Sequence, residues 1–294
     1  MGNLRERKAD HVGEVAQGNQ VLIAAHRGSA AGNIVQNTVG AFRTAQAQGA
    51  DILELDVSMT TDGVLVVYHD GGERTSFGIE QNIQTLSYGA VQKLRYFNSI
   101  GARTRQGVQT LDYVLGELKG DVLINVDRGW EHWTAIVDTV ERHDMADQII
   151  LKSPSDDRIL RELQSLAPDY MYMPICRSIP DITRALQYDL NTVAIEVVFA
   201  SRDEDIVLAE NLKRVADMGL LLWVNAIQLN EVDILCDTFD DVTSILDDPN
   251  EGWGRLVDMG FQMIQTDFPR LLRDYLESRG LASTSPKLPQ LGSD

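Results

Sequence analysis

Two histidines and two acids lie close together early in the chain, each histidine where an apolar run stops. His26 follows VLIAA, His69 follows VLVVY, and between them GADILELDV carries Glu54 and Asp56. An imidazole titrates near neutrality, so a pair of them suits proton transfer in both directions. In residues 52–57 the two-residue period of a strand puts Ile52, Glu54 and Asp56 on one face and Leu53, Leu55 and Val57 on the other. Two carboxylates on one inward face repel and resist desolvation unless a cation or partner compensates them. A divalent metal held by oxygens is the economical explanation, with salt-bridged rim acids as the alternative.

The elements that must hold these residues can be read in order. Residues 21–25 and 64–68 are short runs rich in Val, Ile and Leu, as strands buried on both faces are. Thr38 is placed to cap a helix that runs to Gln48 and is closed by Gly49. A strand over 51–57 and a tight turn at 60–63 lead into the strand that starts at Val64. Residues 71–109 show only one short helical candidate, at 90–96, and are too long for an ordinary connection, so they read as an insertion over the site.

From Thr110 the pattern is regular. Helices are expected at 111–119, 131–143, 155–166, 181–187, 203–218 and 270–279, and strands at 122–127, 148–152, 170–175, 192–197, 220–225 and 262–267. A further loop and helix come before the last strand. Such alternation implies parallel strands with crossover helices, and about eight units over this length give a (β/α)8 TIM barrel. Nine strand candidates are one too many. The hairpin between the second and third makes one of them antiparallel or peripheral, so the barrel is expected to be somewhat distorted, with its insertion after the third strand. Polar residues recur where strands end: His26, Glu54 with Asp56, His69, Asp127, Lys152, Glu196, Asn225 and Asp267. In a barrel those ends gather on the face where active sites sit. A doubly wound sheet would also gather them, but the Gly-rich dinucleotide fingerprint is absent.

HRG, then Asn37-Thr38 before a helix, then GADILELDV, TTDG and VVYHD together resemble the glycerophosphodiester phosphodiesterase family, with residues 111–115 (LDYVL) and 265–269 (QTDFP) as later matches. The resemblance covers about residues 21–276 and is most specific in the first fifty. It implies that Glu54 and Asp56 are the first two metal ligands and Asp127 the third, where the family usually has Glu. It also implies that His26 and His69 are the catalytic acid and base, and that the resident ion is one divalent cation, Mg²⁺ or Ca²⁺. Arg27 matches the Arg of HRG and becomes a phosphate contact. The family's lysine position falls on Gly129, so Lys152 at the next strand end is the candidate replacement; Arg128 points to the other face if the strand persists. Asn37 either orients the phosphate site or caps the helix, Gln36 stands where Glu is usual, and Trp223 and Asn225 resemble late pocket residues.

The expected function is therefore metal-dependent hydrolysis of a glycerophosphodiester to an alcohol and glycerol phosphate, with His26 favoured as base and His69 as acid. One rival is a lysophospholipase D or sphingomyelinase D-like enzyme giving a cyclic phosphate, for which Phe77, Ile79, Tyr96 and Phe97 of the insertion would form an apolar entry. The other is an inactive barrel that binds a phosphorylated ligand.

The formal charge of -18 argues against a nucleic-acid partner and against strong attraction to anionic membranes, leaving a small-molecule phosphodiester as the expected partner. Cys176 and Cys236 suggest neither a disulfide framework nor zinc. No run reaches membrane-spanning length, residues 1–19 read as a polar tail, and Glu6 stands where a myristoylation signal wants Ser or Thr. A cytoplasmic location is expected, although a removed export segment would leave no trace. The barrel domain is expected over 20–280, followed by a flexible tail over 281–294. The acids from Asp233 to Glu251 lack the spacing of a calcium loop and read as solvated, while His11, His132 and His143 read as surface residues.

Overall fold

In the computed structural model, which describes residues 20–283 except 121 and 231, the chain opens with β1 (Leu22–Ala25), α1 (Val39–Ala47), β2 (Ile52–Met59) and β3 (Leu65–Val67). The insertion carries α2 (Glu73–Phe77) and α3 (Tyr88–Val91), and β4 (Gln109–Thr110) ends it. Alternation follows: α4 (Leu111–Leu118), β5 (Leu123–Asp127), α5 (Trp133–Arg142), β6 (Ile149–Pro154), α6 (Asp157–Leu166), β7 (Met171–Cys176), α7 (Ile179–Ala185) and β8 (Ala194–Val197). The last third holds α8 (Ala209–Asp217), β9 (Leu221–Asn225), α9 (Asp241–Leu246), α10 (Trp253–Asp258), β10 (Met263–Thr266) and α11 (Pro269–Ser278).

Parallel pairing runs β1-β10-β9-β8-β7-β6-β5-β2, and β2 pairs again with β1, which closes an eight-stranded (β/α)8 barrel. The extra strand foreseen in the sequence is β3, antiparallel on the far end of β2, and the short β4 extends that flap. Inside, Leu22, Ile52, Leu123, Ile150, Met171, Leu221 and Met263 fill the end of the barrel away from the site. Outward residues of the same strands, such as Leu53, Leu55, Ile124 and Val126, pack under the helices. A strand buried on both faces must be apolar on both, so the runs show no alternation until they reach the polar end. The helices follow the same logic: α6 buries Ile159, Leu160 and Leu163 on one stripe and starts at Asp156, whose side chain accepts from the N–H groups of Arg158 and Ile159. Leu160→Ala would remove a wholly buried side chain from this seam and cost about 2–5 kcal/mol.

Three local expectations need correction. The single helix expected over 203–218 is a turn, a short 3-10 helix (Asp205–Val207) and α8, because Leu208 is extended (ψ 139°) and Ile206 and Val207 turn into the core. The insertion has two α-helices, α2 and α3, around an aromatic cluster: the Phe77 ring lies 5.2 Å from Tyr68 and 4.7 Å from Tyr96. Phe77 and Tyr96 are buried there, so they offer no apolar entry for a lipid. The start of the expected flexible tail is packed: Val21 N–H donates to Leu281 O, and Ser283 is buried against Arg273. Residues 1–19 with His11, and residues 284–294, lie outside the described residues. Among the described residues no helix is long and apolar enough to cross a membrane.

Candidate active site

The inward faces of β2 and β5 place three acids together. Asp56 pairs in register with Asp127, and Glu54 with Asn125. Ligand oxygens of Glu54, Asp56 and Asp127 all lie within 4.8 Å of one another, with Glu54 and Asp56 buried. Burial, then repulsion from Asp56 and Asp127, pushes the Glu54 carboxyl well above the ordinary range, against the pull of Lys152 and Arg27. Burial would also raise Asp56, but Arg27, His69 and a hydrogen bond from Asn37 outweigh it and hold this acid low. Three hard oxygen donors in one buried cluster fit a hard divalent cation. The inward-facing Asn125 Oδ1, two residues before Asp127, is a buried acceptor without a hydrogen bond among the described residues, which adds to that fit.

The loop after β1 is built around this cluster. Arg27 N–H donates to Glu54 Oε2 (2.9 Å), and Arg27 Nε lies 2.9 Å from Asp56 Oδ2. Asn37 Nδ2 donates to Asp56 Oδ2 (2.9 Å) while Asp56 N–H donates to Asn37 Oδ1 (3.2 Å). Asn37 therefore orients an acid of the cluster, and Thr38 next to it is the helix cap. Both Arg27 (φ 55°) and Asn37 (φ 58°) are left-handed, a strained state for residues with side chains that surrounding contacts must hold. Gly28 (φ 76°) completes the turn, and a Cβ there would meet the Ala41 backbone carbon at 2.6 Å. That contact explains the glycine of HRG: the turn lies directly on α1.

Both histidines flank Asp56 closely enough to lower its pKa. His26 Nδ1 lies 2.8 Å from Asp267 Oδ1, and His69 Nδ1 lies 2.8 Å from the Asp70 carbonyl oxygen. Both partners are acceptors, so each Nδ1 carries the proton and each Nε2 is left as the proton-accepting atom. Asp267 was legible only as a polar strand end and a motif residue, whereas here it is the direct partner of His26.

Lys152 is buried inside the barrel, its ammonium 2.7 Å from Asp127 Oδ2 and 3.0 Å from Glu196 Oε2. Burial would lower its pKa, but Asp127, Glu196 and Glu54 overcome this and raise it. Asn225 Nδ2 donates to Glu196 Oε1 and Trp223 Nε1 donates to Asn225 Oδ1, both at 2.8 Å, so Trp223, Asn225, Glu196 and Lys152 form one chain ending on Asp127. Glu196 is thus in a buried pair. Arg128 does not point away as an unbroken strand would require. It is left-handed (φ 62°), and its Nη2 lies 3.2 Å from Asp70 Oδ1, beside His69. At Gly129, where the family has its lysine, a Cβ would meet the terminal methyl of Ile136 (Cδ1) at 2.3 Å, so a side chain there requires the Ile136 side chain to move. Gln36 is exposed, His132 precedes α5 and His143 pairs with Asp112.

Barrel and cluster together define a class: a (β/α)8 protein with an acid triad between two imidazoles at the C-terminal mouth. Residues 26–271 match the glycerophosphoryl diester phosphodiesterase family, whose proteins are phosphoric diester hydrolases, and the chain belongs to that family. It is 31% identical over 159 residues to a glycerophosphodiester phosphodiesterase of Caldanaerobacter subterraneus subsp. tengcongensis, covering 51% of this chain and 64% of that one. Over 68 residues it is 40% identical to a lysophospholipase D of Mus musculus, covering 23% of this chain and 20% of that one. The matched stretches thus span less than two thirds of either relative. A glycerophosphoryl diester phosphodiesterase structure from Parabacteroides distasonis matches over 94% of both chains with a TM-score of 0.77 at 14% identity, which shows the shared fold.

Proposed function

We propose that the chain hydrolyses a glycerophosphodiester to an alcohol and glycerol phosphate. The observation that carries this is the convergence of three carboxylates within 4.8 Å, flanked by two histidines whose Nδ1 protons are tied down. Glu54, Asp56 and Asp127 would hold one divalent cation, Mg²⁺ or Ca²⁺, which when bound supplies positive charge to the phosphoryl oxygens.

The protein's own residues divide the proton work. One imidazole takes a proton through Nε2 from the attacking water, whose oxygen forms the new P–O bond. The other, entering the cycle as an imidazolium with a second proton on Nε2, gives that proton to the leaving alkoxide as the old P–O bond breaks, so neither charge is left uncompensated. His26 is the better base, because its Nδ1 proton is held by a carboxylate while that of His69 meets a neutral carbonyl. The Arg27 guanidinium, fixed through Nε, and Arg128 at the His69 side are placed for charge on the phosphoryl group in transit. Lys152 serves as the buried counter-ion that holds Asp127, with Trp223 and Asn225 acting behind it through Glu196. The expected partner is a small-molecule phosphodiester.

A lysophospholipid headgroup is the second reading. It is favoured by the match to the mouse lysophospholipase D and by exposed apolar residues Leu229, Val232 and Ile234 in the loop after β9, on the mouth side.

The test is the initial rate of glycerol 3-phosphate release from glycerophosphocholine by the wild type, Glu54→Gln and Asp127→Asn. Loss of about 10²–10⁴-fold in both variants supports the assignment, while variants that keep the wild-type rate refute it.

A further inference from the structure

We propose that Asp241 is a positioning residue that fixes the imidazole of His26; the inference rests on the reading of His26 as the base. Asp241 belongs to the acid-rich stretch that reads as solvated, yet it is 2% exposed. Burying a carboxylate costs free energy unless its oxygens find donors. Those donors converge on one turn. Asp241 Oδ2 accepts from Asp267 N–H (2.9 Å), and Oδ1 accepts from Thr266 Oγ1 (2.8 Å) and Trp253 Nε1 (2.8 Å).

Thr266 and Asp267 are the two residues that hold His26. The Thr266 carbonyl accepts from His26 N–H at 3.1 Å, and Asp267 Oδ1 lies 2.8 Å from His26 Nδ1. Asp241 is itself pinned to the barrel: its N–H donates to Ala226 O (2.7 Å), and Ala226 N–H donates to Gln265 O (2.8 Å). One buried carboxylate therefore grips the backbone of the residue whose side chain sets the His26 tautomer. If Asp267 is released, the ring can move its proton to Nε2, and in that form Nε2 cannot accept one. Among the described residues none of the contacts of Asp241 is with Glu54, Asp56 or Asp127, so ion binding should be spared.

The experiment uses the full chain with Mg²⁺ and compares wild type with Asp241→Asn, which cannot accept at all three donors. Glycerophosphocholine turnover is read together with ¹⁵N NMR of the imidazoles, His26 being assigned by His26→Ala. The expected result is a kcat lower by about 10–100-fold with KM little changed, the worth of one hydrogen bond to a charged group. The His26 nitrogens should move from a fixed Nδ1–H pattern to mixed tautomers. In an Asp267→Asn background the second substitution should cost little more, because its route is already cut. Folded Asp241→Asn with unchanged kcat and unchanged His26 signals, or full additivity with Asp267→Asn, overturns the proposal. If the wild type cleaves nothing, the catalytic reading falls while the imidazole signals still judge Asp241. Should Asp241→Asn not fold, Trp253→Phe removes one donor from the same carboxylate. It should lower kcat several-fold and shift the His26 signals in the same sense, and no change in either overturns the idea.

Discussion

Lys152 has no water to fall back on. Its side chain is 2% exposed, and its charge is balanced by Asp127 at 2.7 Å and Glu196 at 3.0 Å. Lys152→Met keeps much of the length and removes the cation, leaving two acids without their partner beside a third, Glu54. Breaking a buried pair by deleting one member costs about 3–5 kcal/mol. At about 2–4 °C per kcal/mol for a chain of this size, the melting temperature should fall by about 6–20 °C. The loss should shrink toward about pH 5, because protonating the orphaned carboxylates relieves the buried charge, and it should shrink when Mg²⁺ is added. The assay is thermal unfolding by circular dichroism in chelator near pH 8 and near pH 5, then with Mg²⁺. A variant as stable as wild type near pH 8 in chelator would refute the counter-ion role, since removal of a needed cation cannot be free.

Asp241 gives a prediction with the opposite sense. Burial raises its pKa to about 7 from 3.8, so the folded state holds this proton more tightly than the unfolded one. The stability it confers is complete below its unfolded pKa and is lost as pH rises through about 7. Between pH 5 and 8 the wild type should lose about 2–3 kcal/mol relative to Asp241→Asn in urea unfolding; a constant difference contradicts this. Gly28→Ala should destabilise by about 1–3 kcal/mol or more, read from the urea midpoint, because it adds a strained φ and a 2.6 Å approach to the Ala41 backbone. Asp56→Asn should weaken Mg²⁺ binding in calorimetry by about tenfold or more, and unchanged affinity would remove Asp56 from the ligand set.

The barrel was legible because most of its strands are apolar runs closed by a polar residue. The first half of the site was legible because HRG, ELD and HD are local in sequence. What escaped depends on contacts between distant segments. Periodicity carried past Asp127 sends Arg128 outward, whereas its left-handed backbone turns it toward Asp70. Lys152 looks like a rim lysine until Asp127 and Glu196 are brought to it by neighbouring strands. Asp241 is one acid among many in sequence and is distinguished only by the donors of Thr266, Asp267 and Trp253, which the closed barrel supplies. The helix expected over 203–218 failed for a related reason: an apolar pair is drawn into the core from an irregular segment, which periodicity alone reads as helix.

Phosphorus NMR tests the central claim most directly, following glycerophosphocholine with the purified chain in Mg²⁺ or Ca²⁺, again in chelator, and with His26→Ala. The account predicts a glycerol phosphate signal that chelator abolishes and His26→Ala loses. Undiminished cleavage in chelator or by His26→Ala, or no cleavage by the wild type with either ion, would contradict it.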